Sequence, residues 1–222
     1  RQHLHFEQVF RAATKVGYAG KARLEHIGYG TVNGKDGKPF KTREGGVMRL
    51  EDLIEMCVSA VRTEEGNAAL AETIGIAALK FADLSGNIAS GYVFDVEKFV
   101  STEGKTGPYL QYACVRVQSM LQKTEIEPGA IEVGVPEERD LAMVSARFPQ
   151  AMHEAVLARE PSVISEYAYE LAQSFSKFYA ACPIAKASNP TIAASRMGLS
   201  KLVHGQLAVC LDVLGIQVPE KM

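Results

Sequence analysis

A glycine-rich segment from Lys35 to Gly46 carries the residue types best suited to hold a phosphate. It reads Lys-Asp-Gly-Lys-Pro-Phe-Lys-Thr-Arg-Glu-Gly-Gly, so Lys38 and Lys41 stand three positions apart and Arg43 follows. Positive charges at this spacing can stabilise the negative charge that develops on a triphosphate during reaction. The Gly-x-x-x-x-Gly-Lys-Ser/Thr pattern of a P-loop is absent. Residue type alone therefore leaves two interpretations open, a phosphate-binding loop or a solvated hairpin tip.

The elements around this segment are predicted from the spacing of apolar residues. The first part of the chain is mixed: a helix ending at Gly17, a strand over residues 24–32, a helix over 50–61, a helix capped by Asn67, an extended piece over 92–94 and one or two helical turns over 96–100. From Pro108 onward the period is helical, with breaks at 128–129 and 134–136. The sequence therefore predicts a mainly α protein, in which an all-α domain follows a mixed piece near residues 102–107.

Core positions in the second part are predicted from the same period. The final stripe comprises Leu199, Leu202, Val203, Leu207, Cys210, Leu211 and Leu214. In an earlier helix, Leu171, Phe175, Phe178 and Tyr179 fall near one face and are predicted to be mostly core. Tyr169 and Lys177 point elsewhere on that helix, so they are the better candidates for contacts with a partner.

Composition limits the class of protein. The formal net charge of −2 argues against bulk binding to duplex DNA. The hydrophobic fraction of 47% is that of an ordinary globular protein. Without an apolar run near about 18 residues, we expect no membrane partner. The four cysteines are far apart and lie in apolar stretches, so buried free thiols are expected, with no metal bound by the protein.

Residues 37–43, Gly-Lys-Pro-Phe-Lys-Thr-Arg, resemble the second signature loop of class I synthetases in the form found in bacterial arginyl-tRNA synthetases. Lys38 falls on the first lysine of that signature, Lys41 on the second and Thr42 on the closing serine. The resemblance implies that these three residues bind ATP and act in catalysis. In that family the second lysine steadies the pyrophosphate during amino-acid activation, which assigns this role to Lys41.

The resemblance continues in order along nearly the whole chain. It covers residues 24–30, 79–85, 92–95, 103–113, 167–172, 178–179, 182–183 and 214–222. It implies the C-terminal part of a class I Rossmann-like catalytic domain over 1–63, a linking region over 64–105, and a helical anticodon-binding domain over 106–222. The chain departs from the family at Gly86-Asn87-Ile88, where Lys-Asn-Arg is usual, and at Lys105 and Gly107, where Asn and Ala are usual.

The tetrapeptide 26–29, His-Ile-Gly-Tyr, is similar to the other class I signature, His-Ile-Gly-His. We reject this match because that signature opens a helix after the first strand of the nucleotide-binding fold, whereas His26 lies in a strand-like run. The first half of the nucleotide fold is therefore expected to be absent. The chain starts with Arg1 inside a family motif, so we expect a fragment that is inactive alone. By resemblance, Gln2 matches a glutamine that contacts substrate arginine, although an exposed terminal glutamine is an equal alternative.

The implied parent function is ATP-dependent ligation of arginine to its tRNA in the cytoplasm, with Mg²⁺ accompanying the nucleotide. Readers of single-stranded RNA stack bases on aromatic rings and arginine planes. The candidate tRNA-binding residues are Tyr169, Lys177, Arg196 and Met222, the last because the family's C-terminus lies near the anticodon loop. The alternative is a free-standing tRNA-binding module without catalytic activity.

Overall fold

The computed structural model describes residues 2–40, 48–62, 66–185, 187 and 189–222. These residues form a mainly helical chain, as predicted, in which a helical bundle follows a mixed part. The elements in chain order are α1 (His3–Lys15), β1 (Val32–Asn33), α2 (Leu50–Val61), α3 (Ala68–Leu84), β2 (Tyr92–Val93), α4 (Val96–Phe99), α5 (Gly107–Lys123), α6 (Pro136–Ala146), α7 (Phe148–Ala158), α8 (Ser162–Ala181) and α9 (Pro190–Val213).

Helix α3 joins the two parts because it contributes to both hydrophobic clusters. Its start is fixed by Asn67, whose Oδ1 accepts a hydrogen bond from the backbone N–H two positions on at 2.9 Å, which confirms the predicted cap. Ala77 and Phe81 pack into the larger cluster, among α5 to α9. Ala78 and Leu79 pack into the smaller one, with α2, α4 and the segment after β2. A movement of α3 would therefore disturb both clusters.

The sheet is much shorter than the sequence predicts. β1 and β2 pair in parallel, with Val32 opposite Tyr92, and this is the only named sheet in the described ranges. The predicted strand over 24–32 is wrong for residues 24–31, which have no regular secondary structure. A strand needs a neighbouring strand whose backbone groups can pair with its own. Within the described chain, residues 92–93 pair only with Val32, the last residue of the predicted strand, and with Asn33.

Helix α1 forms as predicted, but its apolar stripe lies on the surface. None of its residues is buried, and Leu4 and Val9 are 68% and 46% exposed. The helix ends at Lys15, just before Gly17, whose backbone φ of 84° is favourable for glycine.

Helix α9 packs against α5, α6 and α8 in the bundle. Six of the seven residues in its predicted stripe are buried, and Leu202 is the exception at 41% exposure. On its other side, the irregular segment 124–135 lies directly against the helix backbone. The N–H of Gly129 donates to the carbonyl of Ala194 at 2.8 Å, and the Ser195 hydroxyl bonds both backbone groups of Glu132. At Gly198 a Cβ would lie 2.2 Å from the carbonyl oxygen of Gly129, so only glycine allows this approach.

The prediction of buried free thiols is confirmed. All four cysteines fall within the described residues, and each is buried and free. Burial raises the pKa of Cys57 and Cys114 to about 11 and that of Cys210 to about 12. Across the described helices, none combines the length and apolar character needed to cross a membrane.

Candidate functional site

The basic loop begins with a tight turn that exposes its first lysines. The N–H of Gly34 donates to the carbonyl of Lys38 at 2.9 Å, and Gly37 takes a backbone φ of 73°. The carboxylate of Asp36 accepts the N–H of Lys38 at 3.1 Å. Lys35 and Lys38 are both exposed. The ammonium group of Lys38 is therefore accessible to a ligand.

Lys41 and Thr42, the other predicted catalytic and ATP-binding residues, lie outside the described residues. The segment just before them is anchored in the smaller cluster. Asn33 bridges to Pro39, and Phe40 packs with Val32 and Tyr92 against that cluster. Phe40, the residue immediately before Lys41 in the sequence, is therefore held in place by packing.

A cavity of about 620 Å³ lies beside this anchor. Pro39 and Phe40 line one part of it, Tyr92 another, and Pro161 contributes from the start of α8. The cavity therefore brings residues of the helical bundle close to the base of the basic loop.

Gln2 and His26, the two residues considered near the N-terminus, have different surroundings. Gln2 is exposed at the start of α1, and its side chain makes no capping hydrogen bond. His26 stacks on Phe6, with ring centroids 4.4 Å apart. This contact gives His26 a packing role, in agreement with the rejection of its tetrapeptide as a signature.

Tyr169 is more enclosed than the sequence indicates. Its ring is half-buried against the larger cluster and meets Tyr109 edge to face, with centroids 5.6 Å apart. Its hydroxyl accepts a hydrogen bond from Gln173 at 2.9 Å. The helix period alone placed this ring off the core, but α5 approaches it from the side.

Lys177 is exposed, as its position on α8 indicates. It borders a groove between α6 and α8 that also contains Arg139 and Arg147. Arg147 is paired with Glu170 at 2.5 Å. Lys177 and Arg139 are the groove cations for which the described residues show no ion pair, and the carboxylate of Asp140 also lines the groove.

Arg196 has a structural role in place of the predicted contact with RNA. Its side chain is only 12% exposed; Nε donates to Glu138 at 2.7 Å and Nη1 to the carbonyl of Pro183 at 2.9 Å. Burial alone would raise the pKa of Glu138, but hydrogen bonds from Gly134 N–H, Arg196 and Val135 N–H hold it below its usual value. The pair ties the start of α6 to α9, so the guanidinium is not available to a base.

Tyr179 is the residue that the sequence interpretation missed. Of the four residues predicted to be mostly core, the other three are buried, whereas Tyr179 is 36% exposed. The guanidinium of Arg116, itself exposed on α5, lies 4.8 Å from the centre of its ring. A cavity of about 350 Å³ opens beside the ring, with Met120 and Met197 among its lining residues. Because Arg116 lies over the ring of Tyr179, its exposed guanidinium plane is the surface on which an unpaired base can stack.

The C-terminal residues are held against α3 and α5. The buried amide of Gln111 donates to the carbonyl of Gln217 at 2.6 Å, and Lys80 bonds the carbonyl of Gly215. Met222 lies beyond these contacts and is 40% exposed. Its predicted accessibility to RNA is therefore compatible with the structure.

Comparison with known families agrees with this two-part organisation. The family model for the "tRNA synthetases class I (R), catalytic domain" matches residues 1–96, and that for the "DALR anticodon binding domain" matches residues 110–222. The chain is 45% identical to an arginine–tRNA ligase of Maricaulis maris and 47% identical to that of Hyphomonas neptunium, with 98% and 100% of the chain aligned. It spans about 40% of the length of both relatives.

Solved structures give the same result. The arginyl-tRNA synthetase of Thermus thermophilus superposes with a TM-score of 0.78 at 28% identity, over 89% of this chain and 35% of that one. The Plasmodium falciparum arginyl-tRNA synthetase has the same fold over the whole chain and 40% of its own length, with a TM-score of 0.82 and 24% identity. Both parts of the chain, in this order, thus match one kind of protein. The chain belongs to the arginyl-tRNA synthetase family, of which it carries the anticodon-binding domain and a part of the class I catalytic domain.

Proposed function

We propose that this chain is the C-terminal part of an arginine–tRNA ligase, which uses ATP to join arginine to its tRNA. The observation that carries the proposal is the match of a class I catalytic domain and an anticodon-binding domain, in that order, along one chain. The accessible lysine at the start of the basic loop supports it from the structure. The substrates are arginine, its tRNA and ATP, with Mg²⁺ accompanying the nucleotide, and the cytoplasm is the proposed location.

In the proposed reaction the carboxylate of arginine attacks the α-phosphorus of ATP, and pyrophosphate leaves. Lys41 would neutralise charge on the leaving pyrophosphate, assisted by Lys38 and Thr42. A preorganised cation that meets this charge mainly in the transition state lowers the barrier to the chemical step. Gln2 is retained as the proposed contact to arginine. The chain spans about 40% of the length of both relatives, so we expect no ligation by the 222-residue chain alone.

We further propose that the helical bundle binds the anticodon arm. Tyr179 with Arg116 supplies a stacking platform on the α5 side of α8, and Lys177 supplies charge for the RNA backbone on the α6 side. Tyr169 is a second, more enclosed aromatic candidate, and the exposed Met222 is a further candidate. Arg196 is not part of this proposal because Glu138 and Pro183 occupy its guanidinium.

The role of Lys41 is tested in the complete ligase with Lys41→Ala. We expect kcat of arginine-dependent ATP–pyrophosphate exchange to fall by about 10²-fold, with little change in tRNA affinity. Lys35→Ala is the matched control, because this exposed lysine of the same loop lies outside the residues that match the signature. An unchanged kcat for Lys41→Ala would remove Lys41 from the chemistry. The alternative function, a tRNA-binding module without catalysis, predicts no exchange activity in the complete natural protein.

A further inference from the structure

The corner between α7 and α8 joins the anticodon-binding domain to the part that carries the basic loop. Arg159, at this corner, donates to the carboxylate of Glu25 at 3.0 Å. The Ser165 hydroxyl donates to the carbonyl of Leu84, at the end of α3, at 3.2 Å. Between them in sequence lies Glu160, a half-buried carboxylate that also reaches across the junction.

Glu160 uses both of its carboxylate oxygens at the junction. Oε1 accepts a hydrogen bond from the side-chain amide of Asn87 at 2.9 Å, and Oε2 accepts the backbone N–H of Ile88 at 3.2 Å. The amide of Asn87 cannot reverse freely, because its Oδ1 accepts the N–H of Ala89 at 3.0 Å. Since charge-assisted hydrogen bonds are the stronger ones, Glu160 fixes the position of residues 87–88.

The position of residues 87–88 sets the position of the strand that precedes the basic loop. The N–H of Gly30 donates to the carbonyl of Ile88 at 2.8 Å. At Gly30 a Cβ would lie only 2.1 Å from the carbonyl oxygen of Ser90, so backbone packs on backbone here. Because no side chain lies between the two segments, a displacement of Ile88 is transferred directly to Gly30.

From Gly30 the contacts continue to the basic loop within a few residues. The carbonyl of Thr31 accepts the N–H of Tyr92 at 3.0 Å, and β1 follows. Asn33 then bridges to Pro39, which leaves Lys38 at the end of the intervening turn. The path from Glu160 to Lys38 therefore consists of hydrogen bonds and short backbone segments.

We propose that Glu160 is a positioning residue for the basic loop: a carboxylate of the anticodon-binding domain that holds the catalytic segment in register through Asn87 and Ile88. This inference rests on the proposed function. It makes the orientation of Lys38 depend on how the helical bundle sits against residues 86–91.

The first test asks whether Glu160 holds residues 87–88 in place, and it uses the 222-residue chain independently of any activity. Hydrogen–deuterium exchange is followed at the backbone amides of Gly30 and Tyr92. Glu160→Ala should speed exchange at Gly30 by about tenfold, the size expected when a charge-assisted hydrogen bond is lost. Glu154→Ala is the matched control, because this exposed carboxylate of α7 contacts Gln150 of the same helix. Equal exchange in Glu160→Ala and the unsubstituted chain would overturn the proposal.

A reversed pair separates positioning from a general loss of stability. Glu160→Gln keeps one acceptor, for the N–H of Ile88, but turns an amide donor toward Asn87. Asn87→Asp alone places two carboxylates together. In the double variant the glutamine amide nitrogen can donate to the new aspartate, so the contact to position 87 returns with reversed polarity, while the glutamine carbonyl still accepts the N–H of Ile88. We expect slow exchange at Gly30 to be restored in the double variant. Failure of restoration, with the variant folded, would contradict the assigned contacts.

The kinetic test uses the complete ligase with the same variants. Glu160→Ala should lower kcat of ATP–pyrophosphate exchange by about tenfold while KM for tRNA changes less than about twofold, with rescue in the double variant. If Gly30 loosens but kcat is unchanged, the positioning role fails while the proposed function stands. If the unsubstituted complete enzyme, supplied with arginine tRNA, shows no arginine-dependent ATP–pyrophosphate exchange, the proposed function fails and the positioning role with it. Hydrogen–deuterium exchange in the 222-residue chain still shows whether Glu160 holds residues 87–88 in place.

Discussion

The guanidinium of Arg116 lies over the ring of Tyr179, 4.8 Å from its centre, at the surface where α5 meets the end of α8. The two residues come from different helices, so the contact depends on the assembled bundle. A cation–π contact at an exposed site contributes about 0.5–1 kcal/mol. That is enough to favour one arrangement of two long side chains, so the platform is partly ordered before a base arrives.

Tyr179→Ala is predicted to weaken binding of arginine tRNA by at least severalfold, since one stacked base contributes about 1–3 kcal/mol. Tyr179→Phe keeps the ring and should bind nearly as the unsubstituted chain does. Dissociation constants at one modest salt concentration measure the difference, because salt weakens the phosphate contribution.

Tyr18→Ala is the control for that experiment, because this tyrosine is 89% exposed and lies outside the anticodon-binding domain. Circular dichroism establishes that each variant is folded. Equal affinity of folded Tyr179→Ala and Tyr18→Ala would show that Tyr179 is not a platform.

Two glycines of α9 are predicted to respond oppositely to the same substitution. Gly198→Ala places a methyl group against the carbonyl of Gly129 and should lower the free energy of unfolding by about 1–3 kcal/mol. Gly205→Ala meets nothing within 4 Å and should raise it by roughly 0.5–1 kcal/mol, since alanine is the better helix former. Urea unfolding of both variants measures the pair. A stabilising Gly198→Ala would mean that segment 124–135 does not lie against α9 in solution.

Glu138 is predicted to make stability depend on pH in the acidic range. Its pKa in the folded chain lies below the usual 4.5, because three hydrogen-bond donors together outweigh the effect of burial. Stabilisation by the carboxylate is therefore complete above pH 4.5 and is lost as pH falls through the folded pKa. Glu138→Gln should cost about 3 kcal/mol at neutral pH, because it leaves Arg196 buried without its partner charge.

The check is urea unfolding of both chains across the acidic range. The difference between the unsubstituted chain and Glu138→Gln should shrink as pH falls below 4.5. A difference that is the same at neutral and acidic pH would show that the ionised carboxylate is not the stabilising species.

Features set by local sequence were predictable, and those set by distant contacts were not. The cap at Asn67 and the presence of helix α2 follow from residue type and apolar period within one helix. The stripe of α9 was correct except at Leu202, because the period identifies a face but not how far the neighbouring helices cover it. Strand 24–32 was overestimated, since extension depends on a pairing partner that the sequence of the strand does not reveal.

The candidate site shows the same division. The exposure of Lys38 follows from its polar, charged surroundings in the sequence, and that of Lys177 follows from its position away from the apolar face of α8. The pair formed by Arg196 and Glu138 joins residues 58 positions apart, so no local pattern indicated it. Tyr179 shares a face with Phe175 by helical spacing, yet it lies near the end of α8, where it contacts Arg116 of α5 and remains partly exposed.

The central claim, that this chain carries the anticodon reader of an arginine–tRNA ligase, is tested most directly by one binding measurement. The 222-residue chain is titrated with arginine tRNA and with the same tRNA carrying a substituted anticodon base, at one fixed modest salt concentration. We predict measurable binding of arginine tRNA and an affinity at least about fivefold lower for the substituted tRNA, as expected from the loss of one base contact. Equal affinity for the two RNAs, in a chain shown to be folded, would contradict the claim.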